Sequence, residues 1–363
     1  MPKIIKVRLR NNPYHIVCGR GTIDSLGTYL SRLKLGRDAF VITNSLIKNK
    51  HGKAISAALT KAGFRVKFKL VPDTEKAKSL AMLPGLIRAI AEYDLSKKPF
   101  IIAFGGGVVG DLAGFVASIY KRGIPYIQVP TTLLAQVDSA IGGKTALDLE
   151  YGKNLVGAFY QPKLVVSDTG FLKTLSTRQV RSGLAEVIKY AVIKDAGLFN
   201  YLERNYRDII ALKPAALEYI VARSSRIKAD IVSIDERETM RVRTVLNFGH
   251  TLGHAIEAAS GYTGYNHGEA VGLGMLIACG ISTRMRLLAK PAAERIAELI
   301  KRVGLPVKIK NVPLSLIIKA HYRDKKFTGS SNKLVLITGI GKTKIINNVP
   351  LGVIKSAIKA VSS

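Results

Sequence analysis

Short apolar runs alternate with stretches of helical spacing through the first hundred residues. Ala39–Thr43, Val66–Val71 and Phe100–Phe104 read as strands, the last a continuous apolar run of the kind buried on both faces. Between them, Gly52–Ala62 and Ser79–Tyr93 place apolar residues on one helix face. Met1–Arg10 alternates apolar and charged positions and reads as a further strand, as do Tyr126–Val129 and Val165–Ser167. This β–α alternation predicts a parallel sheet flanked by helices, with ligands beyond the carboxyl ends of the strands. From Thr174 the pattern turns helical, over Arg178–Lys194, Ala215–Lys228, Leu246–Ala259, Glu269–Met285 and Ala292–Val303. A strand, Lys333–Thr338, and a last helix follow. The expected architecture is α/β, with a parallel-sheet domain over residues 1–173 and a mostly α-helical domain over residues 174–363.

Composition narrows the class. The 363 residues are 47% hydrophobic, which suits two packed cores and excludes a disordered chain. Ala270–Ile281, among the longest apolar runs, is too short and glycine-rich to span a bilayer. Met1–Arg10 lacks the apolar core of a signal peptide. Only two cysteines occur, Cys18 and Cys279, far apart in the chain, so a reduced, cytoplasmic protein is expected. Lys plus Arg number 56 and Asp plus Glu 25, a net charge of +31. That balance favours anionic partners such as phosphorylated metabolites, dinucleotides or nucleic acid. The basic residues are scattered, with neither a compact basic arm nor an aromatic–basic platform for single strands, so nucleic acid is not the expected partner.

Three stretches carry candidate chemistry in the first half. Gly105-Gly106-Gly107-Val108-Val109-Gly110-Asp111 follows a strand and opens a helix, matching G-x-G-x-x-G. Its glycines let backbone amides approach a pyrophosphate at a helix amino end. The match is weak alone, because no acid follows about 20 residues on as the usual fingerprint requires. Lys144, after Gly142-Gly143, can meet an anion with little hindrance, but Asp138 stands where a Walker loop needs its first glycine. Lys153-Asn154 lies in another glycine-flanked loop.

The second half carries three of the six histidines within twenty residues: His250, His254 and His267. His250 and His254 are four apart and share a helix face, and a Gly/Tyr-rich turn can fold His267 back toward them. Such a gathering suits a divalent metal. Glu186 lies on a predicted helix among Leu184, Val187, Ile188 and Ala191, so its carboxylate is expected near a buried surface beside Lys189. A carboxylate with two imidazoles is a catalytic zinc pattern. One histidine need not bind metal: His254 could instead donate to substrate or to Glu257.

Taken with GGGVVGDLAGF at 105–115, QVPTTLLAQVDSAIGGK at 128–144, GKNLVGAFYQ at 152–161 and DERE at 235–238, these motifs make the chain resemble the 3-dehydroquinate synthases, of the sugar-phosphate cyclase group. The resemblance covers nearly the whole chain. It implies an N-terminal Rossmann-like NAD-binding domain and a helical metal- and substrate-binding domain, facing one cleft. It implies Glu186, His250 and His267 as ligands of Zn2+ or Co2+. It implies NAD contacts at Asn44, Asp73, Glu75, Lys78, Gly106, Gly107, Val108, Val109, Gly110, Asp111, Thr131, Thr132, Lys144, Lys153, Phe171, Leu172, Lys173 and Thr174. Substrate contacts are implied at Asp138, Lys144, Asn154, Lys189, Lys228, Arg243, Asn247, His254 and Lys326. Arg122 matches an arginine that reaches a neighbouring subunit, which implies a homodimer. The implied reaction turns 3-deoxy-D-arabino-heptulosonate 7-phosphate into 3-dehydroquinate and phosphate, by transient oxidation with NAD, phosphate elimination, reduction and ring closure. Asn44 departs from the family, where an aspartate is common, and the link from Glu238 to Arg243 is one residue longer than usual. The rival readings are another sugar-phosphate cyclase such as a 2-deoxy-scyllo-inosose synthase, a metal-dependent alcohol dehydrogenase on a similar fold, and a basic nucleic-acid-binding protein.

Overall fold

The computed structural model describes residues 2–95, 97–323 and 332–362. It divides into two compact units, Met1–Leu175 with Leu217–Arg237, and Ser176–Ala216 with Glu238–Ser363.

The first unit is built from β1 (Lys3–Val7), β2 (Tyr14–Gly19), α1 (Leu26–Leu33), β3 (Asp38–Thr43), α2 (Ser45–Lys61), β4 (Arg65–Leu70), α3 (Leu83–Asp94), β5 (Pro99–Gly105), α4 (Gly107–Ile119), β6 (Tyr126–Pro130), β7 (Lys144–Leu149), β8 (Gly152–Phe159) and β9 (Leu164–Asp168). Seven strands form one sheet in the order β1-β2-β9-β6-β5-β3-β4. It is parallel except at β1, which pairs antiparallel with β2. Side-chain alternation explains the continuous apolar runs. Ala39, Val41, Phe100, Ile102 and Phe104 pack into one core with α1 and α2 residues, while Phe40, Ile42, Ile101 and Ala103 pack into another with α3 and α4 residues. After β3 the chain steps out to the edge strand β4 and then returns past β3 to β5. The strand order therefore reverses between β3 and β5, where open α/β sheets bind ligands. Lys144 and Asn154, placed in loops by their glycine neighbours, instead lie on an antiparallel hairpin, β7 with β8.

The second unit holds α5 (Thr177–Lys194), α6 (Ala196–Ile210), α8 (His250–Ala259), α9 (His267–Arg284), α10 (Lys290–Arg302), α11 (Leu314–Arg323), β10 (Lys333–Gly339), β11 (Lys342–Asn347) and α12 (Leu351–Val361). The remaining helix, α7 (Pro214–Ile234), begins there, but its Leu217–Ile234 portion groups with the sheet unit. The sequence boundary at 173/174 assigns that helix to the second domain. Tertiary contact moves it, because buried Leu217, Ile220, Val221 and Val232 give it an apolar face and Ser225 Oγ donates to the Gln136 carbonyl at 3.2 Å. No described helix is long and apolar enough to cross a membrane.

Candidate active site

α5 is the frame of the second unit's polar centre. Its Ser176 cap forms a reciprocal capping box with Gln179, and the helix is buried along nearly its whole second half. Glu186 is 0% exposed and Lys189 1% exposed on this helix. A carboxylate so placed needs partners. Oε2 faces the Lys189 ammonium as an ion pair, and Oε1 lies 3.3 Å from His250 Nε2 and 3.2 Å from His267 Nε2.

Two glycines make that convergence possible. Apolar spacing predicts one helix over Leu246–Ala259, but the chain breaks at Gly249, whose φ of +76° ends a 3-10 turn, so that His250 starts α8. Gly268 lets α9 touch α5, since a Cβ there would lie 2.3 Å from the Ser182 backbone. The Gly268 amide donates to Ser182 Oγ at 3.1 Å, and Arg178 of α5 donates to both carboxylate oxygens of Glu269 at 2.8 and 2.7 Å. His267, expected on a loop, is the first residue of α9, behind an Asn266–Glu269 capping box.

The backing of each imidazole tests whether a metal ion fits. His250 Nδ1 lies 3.1 Å from the Phe248 carbonyl, which can only accept, so Nδ1 carries the proton. Burial, then the Lys189 charge, lowers the His250 pKa, so its Nε2 presents a lone pair to the Glu186 carboxylate. Two electron-rich atoms 3.3 Å apart call for a cation. His267 Nδ1 has the Glu257 carboxylate 3.6 Å behind it, the usual support for a ligating imidazole. Ligand atoms of Glu186, His250 and His267 all lie within 4.8 Å of one another. Burial alone would raise the Glu186 carboxyl, but Lys189 and His250 hold it well below the usual carboxylate range. Burial would lower His267, but Glu186 and Glu257 raise it to about 10. The three residues fit a divalent metal, with the ion taking the place of the His267 Nε2 proton.

His254, one turn beyond His250, is exposed, and its ring sits 5.4 Å from His250 and 6.1 Å from His267. It also forms a second close group with Glu257 and His267, so the geometry leaves both of its readings open. Asn247 ends the 3-10 turn before the helix break. Arg243 is 2% exposed, with Nε 3.5 Å from Glu238 Oε1. Lys326 lies outside the described residues.

The first unit gathers its candidates at strand ends. Gly105-Gly106-Gly107 joins β5 to the amino end of α4, and the Thr131 amide donates to the Gly105 carbonyl at 2.9 Å. The loop thus brings Gly106, Gly107, Val108, Val109, Gly110, Thr131 and Thr132 to one place. Lys78, 4% exposed, ties this loop to the hairpin: Nζ donates to Asp111 Oδ2 at 2.8 Å and to Asn154 Oδ1 at 2.6 Å, with Glu75 at 3.6 Å and Asp148 at 3.8 Å. Burial pushes Asp111 up to about 6 against the pull of Lys78. Lys228 of α7 donates to Asp138 Oδ1 at 2.6 Å and to its carbonyl at 2.7 Å. Asn44 caps α2 and donates to Asp73 Oδ1 at 2.5 Å. Phe171 and Leu172 are buried, Lys173 is exposed, and Thr174 is held by Lys50 and His51 of α2. Lys144 and Lys153 are exposed on the hairpin strands. Arg122 stands apart on a turn where it and Lys121 both have positive φ, 63° and 50°. The sequence reading missed Asp148, Ser182, Gly268 and the Phe248 carbonyl. Of these only Gly268, between a histidine and an acid, carried a visible signal.

Residues 68–182 match the model of the 3-dehydroquinate synthase N-terminal domain, and residues 183–327 that of its C-terminal domain. The chain belongs to the 3-dehydroquinate synthase family. A 3-dehydroquinate synthase from Caldanaerobacter subterraneus subsp. tengcongensis is 46% identical over 94% of this chain and 96% of the relative. One from Nostoc punctiforme is 41% identical over 99% and 100%. Among solved structures, 2-deoxy-scyllo-inosose synthase, complexed with carbaglucose-6-phosphate, NAD+ and Co2+, superposes with a TM-score of 0.90 at 26% identity, covering 99% of this chain and 100% of that one. ValA, a 2-epi-5-epi-valiolone synthase from Streptomyces hygroscopicus subsp. jinggangensis with NAD+ and Zn2+ bound, gives 0.88 at 25% identity, covering 97% and 98%. An NADH-dependent butanol dehydrogenase from Thermotoga maritima shares the fold, with a TM-score of 0.69 at 14% identity over 99% and 100%. The family's two-part organisation, a Rossmann-like sheet unit and a helical unit, is thus the one observed here.

Proposed function

We propose that this chain is a working 3-dehydroquinate synthase, converting 3-deoxy-D-arabino-heptulosonate 7-phosphate to 3-dehydroquinate and phosphate. The observation that carries the reading is the convergence of His250 and His267 on the buried Glu186 carboxylate, in a chain 46% identical to a 3-dehydroquinate synthase. Glu186, His250 and His267 would hold zinc or cobalt, and the bound ion supplies a Lewis acid that lowers the pKa of a substrate hydroxyl. The Gly105–Asp111 loop would hold NAD, which would supply reversible hydride-acceptor chemistry.

The remaining work falls to the chain's own side chains. Lys144 and Lys326 hold the phosphate dianion and steady the charge that grows on it as it leaves. Lys189 keeps Glu186 ionised, as a ligating carboxylate must be. Lys78 occupies Asn154 Oδ1, so Asn154 turns its Nδ2 donor outward to a substrate hydroxyl. Lys228 donates to Asp138, whose carboxylate would accept from another substrate hydroxyl. Arg243, Asn247 and His254 supply further donors. The same reading makes the enzyme a cytoplasmic homodimer, in which exposed Arg122 reaches the neighbouring subunit's substrate. Sedimentation of the purified chain tests the dimer.

The decisive assay follows phosphate and NADH together, with heptulosonate phosphate, NAD and zinc or cobalt supplied. One phosphate per dehydroquinate, without net NADH, is the expected result. Accumulating NADH would make the chain a dehydrogenase, and failure to release phosphate would end the reading.

A further inference from the structure

We propose that Asp148 is a positioning residue of the substrate site: it fixes a bulge in the β7–β8 hairpin that aims the side-chain amide of Asn154. The inference rests on the substrate reading above and adds the residue on which Asn154 depends. β7 and β8 pair antiparallel, but their register slips. Leu147 faces Val156 and Leu149 faces Gly152, so Asp148 alone stands opposite Lys153, Asn154 and Leu155. Such a bulge interrupts the ladder, re-aims a side chain and recurs beside active sites. Within it Asn154 has a φ of +56°, in the left-handed region. Glycine enters that region freely, so a bulge that served only the turn would be met by glycine. Other residues held there cluster at functional sites.

A bulge leaves backbone groups without ladder partners, and Asp148 supplies one: its Oδ1 accepts from the Asn154 amide at 2.8 Å. Asp148 is itself pinned. Its amide donates to the Lys78 carbonyl at 2.7 Å, and its backbone forms a parallel bridge with Ser79. Its Oδ1 also lies 3.8 Å from Lys78 Nζ. Lys78 Nζ donates to Asn154 Oδ1 at 2.6 Å, which closes a ring of Lys78, Asp148 and Asn154. Asp111 Oδ2, at 2.8 Å, holds the same ammonium from the α4 side.

Asn154 thus has its backbone amide fixed by Asp148 and its side-chain oxygen fixed by Lys78. The residue is exposed, and its Nδ2 has no hydrogen-bond partner among the described residues. A substrate oxygen meeting that donor finds it already aimed, so little side-chain freedom is lost on binding. Asp148 is the partner on which this depends, because Lys78 reaches only the Asn154 side chain and does not hold the backbone turn.

The test is calorimetric titration of the heptulosonate phosphate into the full-length, zinc-loaded protein. NADH replaces NAD, so no hydride can be removed and binding is read alone. Asp148→Ala should weaken sugar phosphate binding by about tenfold, the scale of one substrate hydrogen bond. Asp148→Asn keeps an accepting oxygen without the charge and should recover most of that loss. Asn154→Gly tolerates the left-handed turn but has no Nδ2, and should lose at least as much as Asp148→Ala. Adding Asp148→Ala to Asn154→Gly should cost nothing further, because the group it positions is gone. A merely structural role would make the two losses add, so additive losses would overturn the proposal. Wild-type affinity in Asp148→Ala would do the same. So would an Asp148→Asn variant as weak as Asp148→Ala, by showing that the charge beside Lys78 is what counts. Should Asp148→Ala fail to fold, Asp148→Glu keeps the charge and displaces the oxygen by one methylene, and full affinity there would overturn the proposal. Phosphate release by the same samples with NAD separates the two readings. A wild type that binds the sugar phosphate without releasing phosphate would remove the proposed function and leave the positioning test standing. One that binds no sugar phosphate would remove both.

Discussion

Glu186 and Asp73 are both carboxylates, and the fold treats them in opposite ways. Glu186 is 0% exposed, with two imidazoles against one oxygen and an ammonium against the other. Asp73 is exposed, with one braced oxygen. A buried carboxylate cannot be left half-satisfied, so its neighbourhood is over-determined, and loss of one member is felt by all. An exposed one has water as an alternative partner, so its surroundings adjust affinity and selectivity without deciding whether the protein works. The contrast predicts all-or-none behaviour around Glu186 and graded behaviour at the strand ends of the sheet unit.

The largest effect should come from Glu186→Gln. Metal content after desalting should drop to background, and phosphate release with it. Lys189 would also be left as a buried charge without its counter-ion, which costs about 3–5 kcal/mol. Adding Lys189→Met should recover most of that stability in urea melts and none of the activity. A single variant that keeps its metal and its turnover would sink the ligand assignment. Gly268→Ala comes next. A methyl group 2.3 Å from the Ser182 backbone must push the start of α9 off α5 and carry His267 away from Glu186. Overpacking of this kind costs about 1–3 kcal/mol, and metal affinity should fall with it while the circular dichroism spectrum stays helical.

A smaller effect is expected at Lys144, exposed at the start of β7. Lys144→Ala should lower kcat/KM for the heptulosonate phosphate by about a hundredfold, the scale of one lost charge-stabilising donor. NAD affinity should fall far less, and equal losses in both would show that Lys144 does not act on the phosphate.

Strands β3, β5, β6 and β9 were legible in the sequence, because parallel strands buried on both faces leave continuous apolar runs, and the edge strand β4 was legible from its alternation of basic and apolar residues. Glu186 was legible too, from its apolar flanks. The β7–β8 hairpin was not, because its glycine-rich, half-exposed sequence looks like loop. The break before His250 was hidden because Leu246, Leu252 and Ile256 continue an apolar stripe straight through Gly249, and only the packing of Gly249 against α9 shows that the chain must turn. The position of Leu217–Arg237 was hidden for a related reason: periodicity marks a helix but not the body it packs on.

Asp111 offers a graded test through pH. Burial raises its carboxyl from 3.8 to about 6, so the folded protein holds this proton more tightly than the unfolded chain does. The stabilisation is complete below the unfolded value and is lost as pH rises through the folded one. Asparagine cannot titrate. The difference in urea midpoint between Asp111→Asn and wild type, without cofactor, should therefore move in the variant's favour from about pH 4 to about pH 7. A difference that stays flat across that window would show that burial does not govern this carboxyl.

The smallest effect should come from the chemical change that is so disruptive at Gly268. Gly85 lies in the first turn of α3, exposed, with nothing within 4 Å of an added Cβ. There alanine removes only the backbone freedom of the unfolded chain, so Gly85→Ala should stabilise by about 0.4–1 kcal/mol. Metal content and turnover should not move. Paired with Gly268→Ala, it holds the chemical change constant and varies only the space around it. Should both substitutions prove neutral, close helix approach would not be what places His267. Should both destabilise by the same amount, the effect would belong to glycine replacement in general and not to the α5–α9 contact. Opposite signs, with metal affinity lost only at Gly268, are the outcome that ties the metal ligands to that contact.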